Sequence, residues 1–208
     1  MGPPASGKGT QAELIQAAYS VPVTSPGAIF REEKQKGTPL GLRADELTSR
    51  GALLPDEMVV DVVKVWLAEN NGAFLFDGFP RTVGQAEALA ALLEQRDTPL
   101  EAVLLLEADI DTLRRRVQQR LVCQQCGGIV SEGLHVTNAS DQCPKCGGTL
   151  SRRADDTLET LERRMEQYSA KTMALVGYYE SRGLLYRIDS TRAPEAVFKS
   201  IAAVLEAP

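Results

Sequence analysis

The segment Gly2-Pro3-Pro4-Ala5-Ser6-Gly7-Lys8-Gly9-Thr10 holds a Gly-x-x-x-x-Gly-Lys pattern directly before residues with a helical period. Glycines at this spacing let backbone N–H groups turn inward around a phosphate, and the positive end of the following helix adds to the attraction. Lys8 supplies a mobile cation for a phosphoryl group in transfer, and Gly9-Thr10 stand where the common pattern has Ser or Thr directly after the lysine. The bland alternative is a Gly/Pro-rich surface loop with an exposed lysine. A second chemical segment is Asp77-Gly78-Phe79-Pro80-Arg81-Thr82. It follows a short apolar run, residues 73–76, that reads as a buried strand. An acid at the carboxyl end of such a strand is placed to orient Mg²⁺, directly or through water. Arg81 can clamp a phosphate through two parallel hydrogen bonds. Alone, the segment reads slightly better as a turn with a capping Asp and a solvated Arg. Beside a phosphate loop, the chemical reading is the better one.

All four cysteines fall in one module: Cys123-x-x-Cys126, sixteen residues, then Cys143-x-x-Cys146. The halves repeat as Cys-Gln-Gln-Cys-Gly-Gly and Cys-Pro-Lys-Cys-Gly-Gly. Glycine after the second Cys allows a tight turn that aims backbone N–H groups at thiolate sulfurs. Four thiolates close a tetrahedron and leave no open position, so the spacing predicts a structural Zn²⁺ site. Two disulfides or four free thiols are the alternatives. His135, the only histidine, is not needed as a ligand and reads as a surface residue. Lys145, Arg152 and Arg153 would permit nucleic-acid contact, but no aromatic between 123 and 150 offers a stacking platform.

The elements that must position these groups alternate in type. Helical periods lie over about 10–19, 83–94, 109–121, 155–181 and 194–205. Apolar strand-like runs lie at 73–77, 102–106 and 184–188. Shorter helical patterns between 28 and 67 are broken at Gly37-Thr38-Pro39, Gly51 and Pro55. Leu158, Leu161, Met165, Tyr168, Thr172, Leu175 and Tyr179 recur by threes and fours and read as a core-facing stripe. Strands alternating with helices predict an α/β fold with a parallel sheet. Residues 123–150 break this rhythm as an inserted module. The chain has 208 residues, 43% hydrophobic and 25% charged, with net charge −5. That composition is globular and argues against binding nucleic acid by bulk charge. No run is apolar enough to span a membrane, so the expectation is a cytoplasmic protein without membrane partners.

Gly-x-x-x-x-Gly-Lys-Gly-Thr-Gln from Gly2 and Asp-Gly-Phe-Pro-Arg-Thr-x-x-Gln from Asp77 together resemble the signatures of the adenylate kinase family, nucleoside-monophosphate kinases. The resemblance runs through essentially the whole chain. It implies transfer of the γ-phosphoryl of MgATP to AMP giving two ADP, in adenine nucleotide homeostasis. It also implies a phosphate-loop NTPase-like parallel sheet, a helical AMP-binding insert and a small zinc-ribbon lid. The implied division is core at 1–24, 55–121 and 155–208, insert at 25–54 and lid at 122–154. By the same resemblance Gly2, Pro3, Ala5, Ser6, Gly7, Lys8, Gly9, Thr10, Arg116, Arg120 and Arg192 (through its carbonyl) hold ATP. Ser25, Pro26, Arg31, Leu53, Leu54, Gly78, Arg81, Gln85, Arg153 and Arg164 hold AMP. Lys8, Asp77, Arg81, Arg120, Arg153 and Arg164 surround the group in transfer, Cys123, Cys126, Cys143 and Cys146 hold Zn²⁺, and the chain is a monomer. Ser25-Pro26-Gly27-Ala28 stands where the family has Ser-Thr-Gly-Asp, and Ala5 replaces a common glycine. A UMP/CMP kinase and a catalytically impaired nucleotide-binding or zinc-ribbon interaction protein are the rival readings. Relatives open with an apolar strand before the phosphate loop where this chain has only Met1, so the first core strand is expected to be missing and the chain to begin late.

Overall fold

The computed structural model describes residues 1–49, 54–139, 141–152 and 156–207. Leu53 and Arg153 lie outside these residues. Helix α1 (Lys8–Tyr19) starts directly at the lysine, because Gly7 in the left-handed region (φ 93°) turns the loop into it. Strand β1 (Val23–Thr24) follows, then α2 (Pro26–Gln35). Pro26 suits the first turn of α2, where its missing N–H costs nothing, and the Ser25 hydroxyl accepts from the Ala28 N–H as cap. Helices α3 (Pro39–Ser49) and α4 (Asp56–Glu69) complete the broken helical stretch. Strand β2 (Leu75–Phe76) is shorter than the apolar run around it. Phe74 is spent on packing instead, 5.8 Å from Trp66 and 4.9 Å from Phe76 between ring centres.

Helix α5 (Val83–Glu94) is capped by Thr82. Strand β3 (Val103–Glu107), helix α6 (Ile110–Gln119) and strands β4 (Arg120–Cys123), β5 (Ile129–Ser131) and β6 (Leu150–Ser151) follow. The long helix α7 (Leu158–Glu180), strand β7 (Leu185–Asp189) and α8 (Pro194–Leu205) close the chain. The α7 stripe is at least half-buried from Leu161 to Tyr179. Leu158 at its first turn is 39% exposed.

The parallel sheet is present as two separate pairs among the described residues. β1 pairs with β2, and β3 pairs with β7 in register from Val103↔Leu185 to Glu107↔Asp189. Alternation along β3 sends the Leu104 and Leu106 backbone groups to the side away from β7. There Met1 meets them, its nitrogen donating to the Leu104 carbonyl at 2.5 Å and its carbonyl accepting from Leu106 N–H at 3.0 Å. Gly2 passes so close to this strand that a Cβ would lie 2.6 Å from the Leu106 carbonyl oxygen. The largest core cluster packs Ile29 and Phe30 of α2, Val62, Val63, Trp66 and Leu67 of α4, and Leu89 and Leu93 of α5. Each such side chain contributes about 1.5–3 kcal/mol by burial. The cysteine module, with no legible element in the sequence, is a three-stranded antiparallel sheet ordered β5-β4-β6. Leu121, Val130 and Leu150 make its small core.

Candidate nucleotide and metal sites

The phosphate loop wraps its own lysine. Lys8 Nζ donates to the carbonyls of Gly2 (2.7 Å) and Pro3 (2.8 Å) and lies 3.5 Å from Ser6 Oγ. Ala5 takes a positive φ of 63° where a glycine would sit without strain. Burial pulls the Lys8 amine down to about 8. Asp77 opposes that shift, while the Arg81 and Arg120 charges reinforce it. The charges of Asp77, Arg81 and Arg120 thus reach the amine at the amino end of α1, where Gly9 and Thr10 form the first turn.

Arg116 of α6 closes the loop from the other side. Its guanidinium donates to the Ser6 carbonyl at 3.3 Å and to the Ser190 carbonyl at 2.5 Å. This joins the phosphate loop to the turn after β7 that holds Arg192. The Arg192 side chain itself bonds Ser200 Oγ at 2.9 Å and Asp189 at 3.4 Å.

Around Arg81, Nε donates to the Gly78 carbonyl at 2.8 Å, and Gly78 adopts φ 73°. A Cβ at Gly78 would come within 3.2 Å of the guanidinium, so the glycine makes room for it. Gln85, only 4% exposed, accepts from the Arg81 backbone N–H at 2.8 Å. Arg31 on α2 is exposed and has no hydrogen-bond or ion-pair partner among the described residues. Leu54 packs against the helical core cluster. Arg120 at the start of β4 forms a two-pronged ion pair with Asp156, whose side chain is 3% exposed, with Nε at 2.6 Å from Oδ2. Arg164 on α7 is half-buried and also has a partner. Asp156 and Asp56, which accepts from Gln85 Nε2 at 2.7 Å, are the members of this constellation that sequence reasoning missed. Each lies in a pair of acids beside a helix start, Asp56-Glu57 and Asp155-Asp156, a position that looks like ordinary capping.

The four cysteine sulfurs lie within 4.8 Å of one another. The Cys123–Cys146 sulfurs are 3.4 Å apart and the Cys126–Cys143 sulfurs 3.8 Å, and no disulfide joins them. Tetrahedral Zn–S bonds of about 2.3 Å place sulfurs about 3.8 Å apart, so the donor set fits a Cys₄ zinc ion. The two halves repeat one geometry. Gly127 N–H donates to the Cys123 carbonyl at 3.0 Å, and Gly147 N–H to the Cys143 carbonyl at 2.8 Å. Both glycines have positive φ. A Cβ at Gly148 would lie 2.9 Å from Cys123 Sγ and 2.5 Å from Gln125 Oε1. Hydrogen bonding to the Cys126 N–H, with lesser help from Gln125 and neighbouring thiols and against burial, lowers Cys123 to about 6. His135 stays outside the cluster, its Nδ1 accepting from Ser131 N–H at 3.0 Å.

A phosphate loop that leads into a helix and wraps its lysine, with a separate four-thiolate ribbon, points to a nucleotide-handling phosphotransferase of the α/β class. A family model described as adenylate kinase matches residues 1–184. The chain is 41% identical over 209 residues to the adenylate kinase of Clostridium tetani, covering 100% of this chain and 97% of that protein. It is 42% identical over 208 residues to that of Moorella thermoacetica, covering 99% and 95%, and 38% identical to that of Archaeoglobus fulgidus, covering 99% and 96%. The chain belongs to the adenylate kinase family. No helix among the described residues is long and apolar enough to cross a membrane.

Proposed function

We propose that this chain transfers the γ-phosphoryl of MgATP to AMP, reversibly, giving two ADP. The observation that carries this reading is Lys8 at the first residue of α1, its Nζ held by the Gly2 and Pro3 carbonyls of the phosphate loop, in a chain of the adenylate kinase family. In the forward direction an AMP phosphate oxygen attacks the γ-phosphorus, the bond to the β-bridging oxygen breaks, and ADP leaves carrying that electron pair. Such a transfer asks little acid–base chemistry of the protein and much positive charge around the equatorial oxygens. Lys8 exchanges the Gly2 and Pro3 carbonyls for phosphate oxygens. Arg31 and Arg81 hold the phosphate of AMP, and Arg120, Arg153 and Arg164 gather about the group in transfer. Arg116 lies against the ATP base. Mg²⁺, bound with ATP, neutralises charge on the phosphates, and Asp77 is the residue placed to orient it. Zn²⁺ held by Cys123, Cys126, Cys143 and Cys146 is structural and completes a module too small to fold on its own core. That module carries Arg120 on its first strand, so its closure over ATP brings the arginine in and excludes water.

The roles are tested by Lys8→Ala and Arg81→Ala. Each is expected to cut turnover with AMP by orders of magnitude while the fold survives. Near-normal activity in either variant sinks the assigned roles.

A further inference from the structure

Gln85 is held by a closed ring of hydrogen bonds. Its Oε1 accepts from the Arg81 backbone N–H at 2.8 Å, and its Nε2 donates to Asp56 Oδ1 at 2.7 Å. The other Asp56 oxygen, Oδ2, accepts from the Thr82 hydroxyl at 2.6 Å. Thr82 Oγ1 in turn accepts from the Gln85 backbone N–H at 3.2 Å, capping α5. A glutamine amide is nearly symmetric in shape, and its two ends differ only in which carries the N–H groups. An ionised carboxylate accepts and cannot donate, whereas a backbone N–H donates and cannot accept. The two contacts therefore fix the amide in one orientation. A reversed amide would set its carbonyl against Asp56 and its NH₂ against the Arg81 N–H.

We infer that Asp56 is a positioning residue that sets the base selectivity of the monophosphate site by locking the Gln85 amide against reversal. The inference rests on the proposed role of Gln85 at that site. After the two contacts, the amide retains one N–H and one carbonyl lone pair in fixed places. A donor and an acceptor in that order suit a base edge with a ring-nitrogen acceptor beside an amino donor, as in adenine and cytosine. Guanine and uracil present the inverse, a ring N–H beside a carbonyl. A freely turning amide would serve both classes. Asp56 is the first residue of α4, directly after Pro55, where the expected insert rejoins the core. It ties that junction to the start of α5. Pro26 leaves Gln85 to carry more of the discrimination, because a proline side chain offers no polar atom.

The test measures steady-state kinetics with AMP and with GMP at saturating MgATP for Asp56→Ala, Asp56→Asn and Gln85→Ala. Asp56→Ala is expected to raise KM for AMP about tenfold, the order set by one hydrogen bond to a charged group. The AMP-over-GMP preference in kcat/KM should fall by a similar factor, with KM for ATP unchanged. Asp56→Asn should recover only part of the preference, since its carbonyl can still accept the Gln85 N–H but its own amide can reverse and donate to a reversed Gln85 carbonyl. Should Asp56→Ala fail to fold, Asp56→Ser carries the same expectation, being one bond too short to reach Gln85. A lost preference in Gln85→Ala with none lost on removing Asp56 overturns this inference alone. An unchanged preference in Gln85→Ala overturns the site reading beneath it. A uniform loss of kcat for both acceptors in Asp56→Ala assigns a merely structural role and also overturns the inference.

Discussion

Replacing Lys8 by methionine should make the free protein more stable while abolishing phosphoryl transfer. In the folded chain burial lowers the amine from 10.5 to about 8. At about 1.4 kcal/mol per unit, holding that charge costs the fold about 3 kcal/mol below pH 8. Methionine of similar length removes the cost but leaves the Gly2 and Pro3 carbonyls without the ammonium, a loss of about 1 kcal/mol or somewhat more. The net gain is about 1–2 kcal/mol, or about 2–8 °C in Tm for a chain of this size. The pH dependence carries the sign. Below pH 8 both folded and unfolded chains hold the proton, so the cost is fully present. Between pH 8 and 10.5 the folded chain gives up the proton while the unfolded chain keeps it, and wild-type stability gains relative to the variant. The advantage of Lys8→Met is therefore full at pH 7 and fades towards pH 10. Thermal melts of both proteins at pH 7 and 9.5 read this directly, and the difference between them cancels thiol titrations common to both. MgATP should raise Tm more in the wild type, because phosphate gives the buried cation its partner. A variant less stable than wild type at pH 7, or a gap independent of pH, refutes the reasoning.

The cysteine module should contain one zinc per chain by metal analysis, and a strong chelator should lower Tm. A metal-free, reduced protein of equal stability would reject the site. Gly148→Ala places a methyl 2.9 Å from Cys123 Sγ and should cost about 1–3 kcal/mol by overpacking. It should also weaken zinc retention in competition with a chromogenic chelator. Asp156→Ala removes the buried partner of Arg120 and should destabilise by about 3 kcal/mol, visible as a lower denaturant midpoint.

Much of the fold was legible because its signals are local. The helices at 83–94 and 194–205 fall where their periods place them, since Thr82 and Pro194 mark their starts chemically. The cysteine spacing foretold the sulfur cluster, because two knuckles of the same Cys-x-x-Cys-Gly-Gly pattern repeat in the chain. The strands of that module were not legible. β4, β5 and β6 are two to four residues long, too short for an alternation to show, and their pairing is set by the cluster they frame. Phe74 shows the same limit at β2, where an apolar residue in a strand-like run is used for aromatic packing. Asp56 and Asp156 escaped for a different reason. Their importance lies in partners 29 and 36 residues away, and no pattern within a helix start encodes that distance. The residues expected to face the adenine were reached through family signatures rather than through spacing.

The most direct measurement is ADP formation from MgATP with AMP, CMP, UMP and GMP in turn, using protein of verified zinc content. The account predicts that AMP is the preferred acceptor and that two ADP appear for each ATP consumed. Absence of turnover with all four would contradict phosphoryl transfer, and preference for a pyrimidine monophosphate would contradict the assignment to AMP.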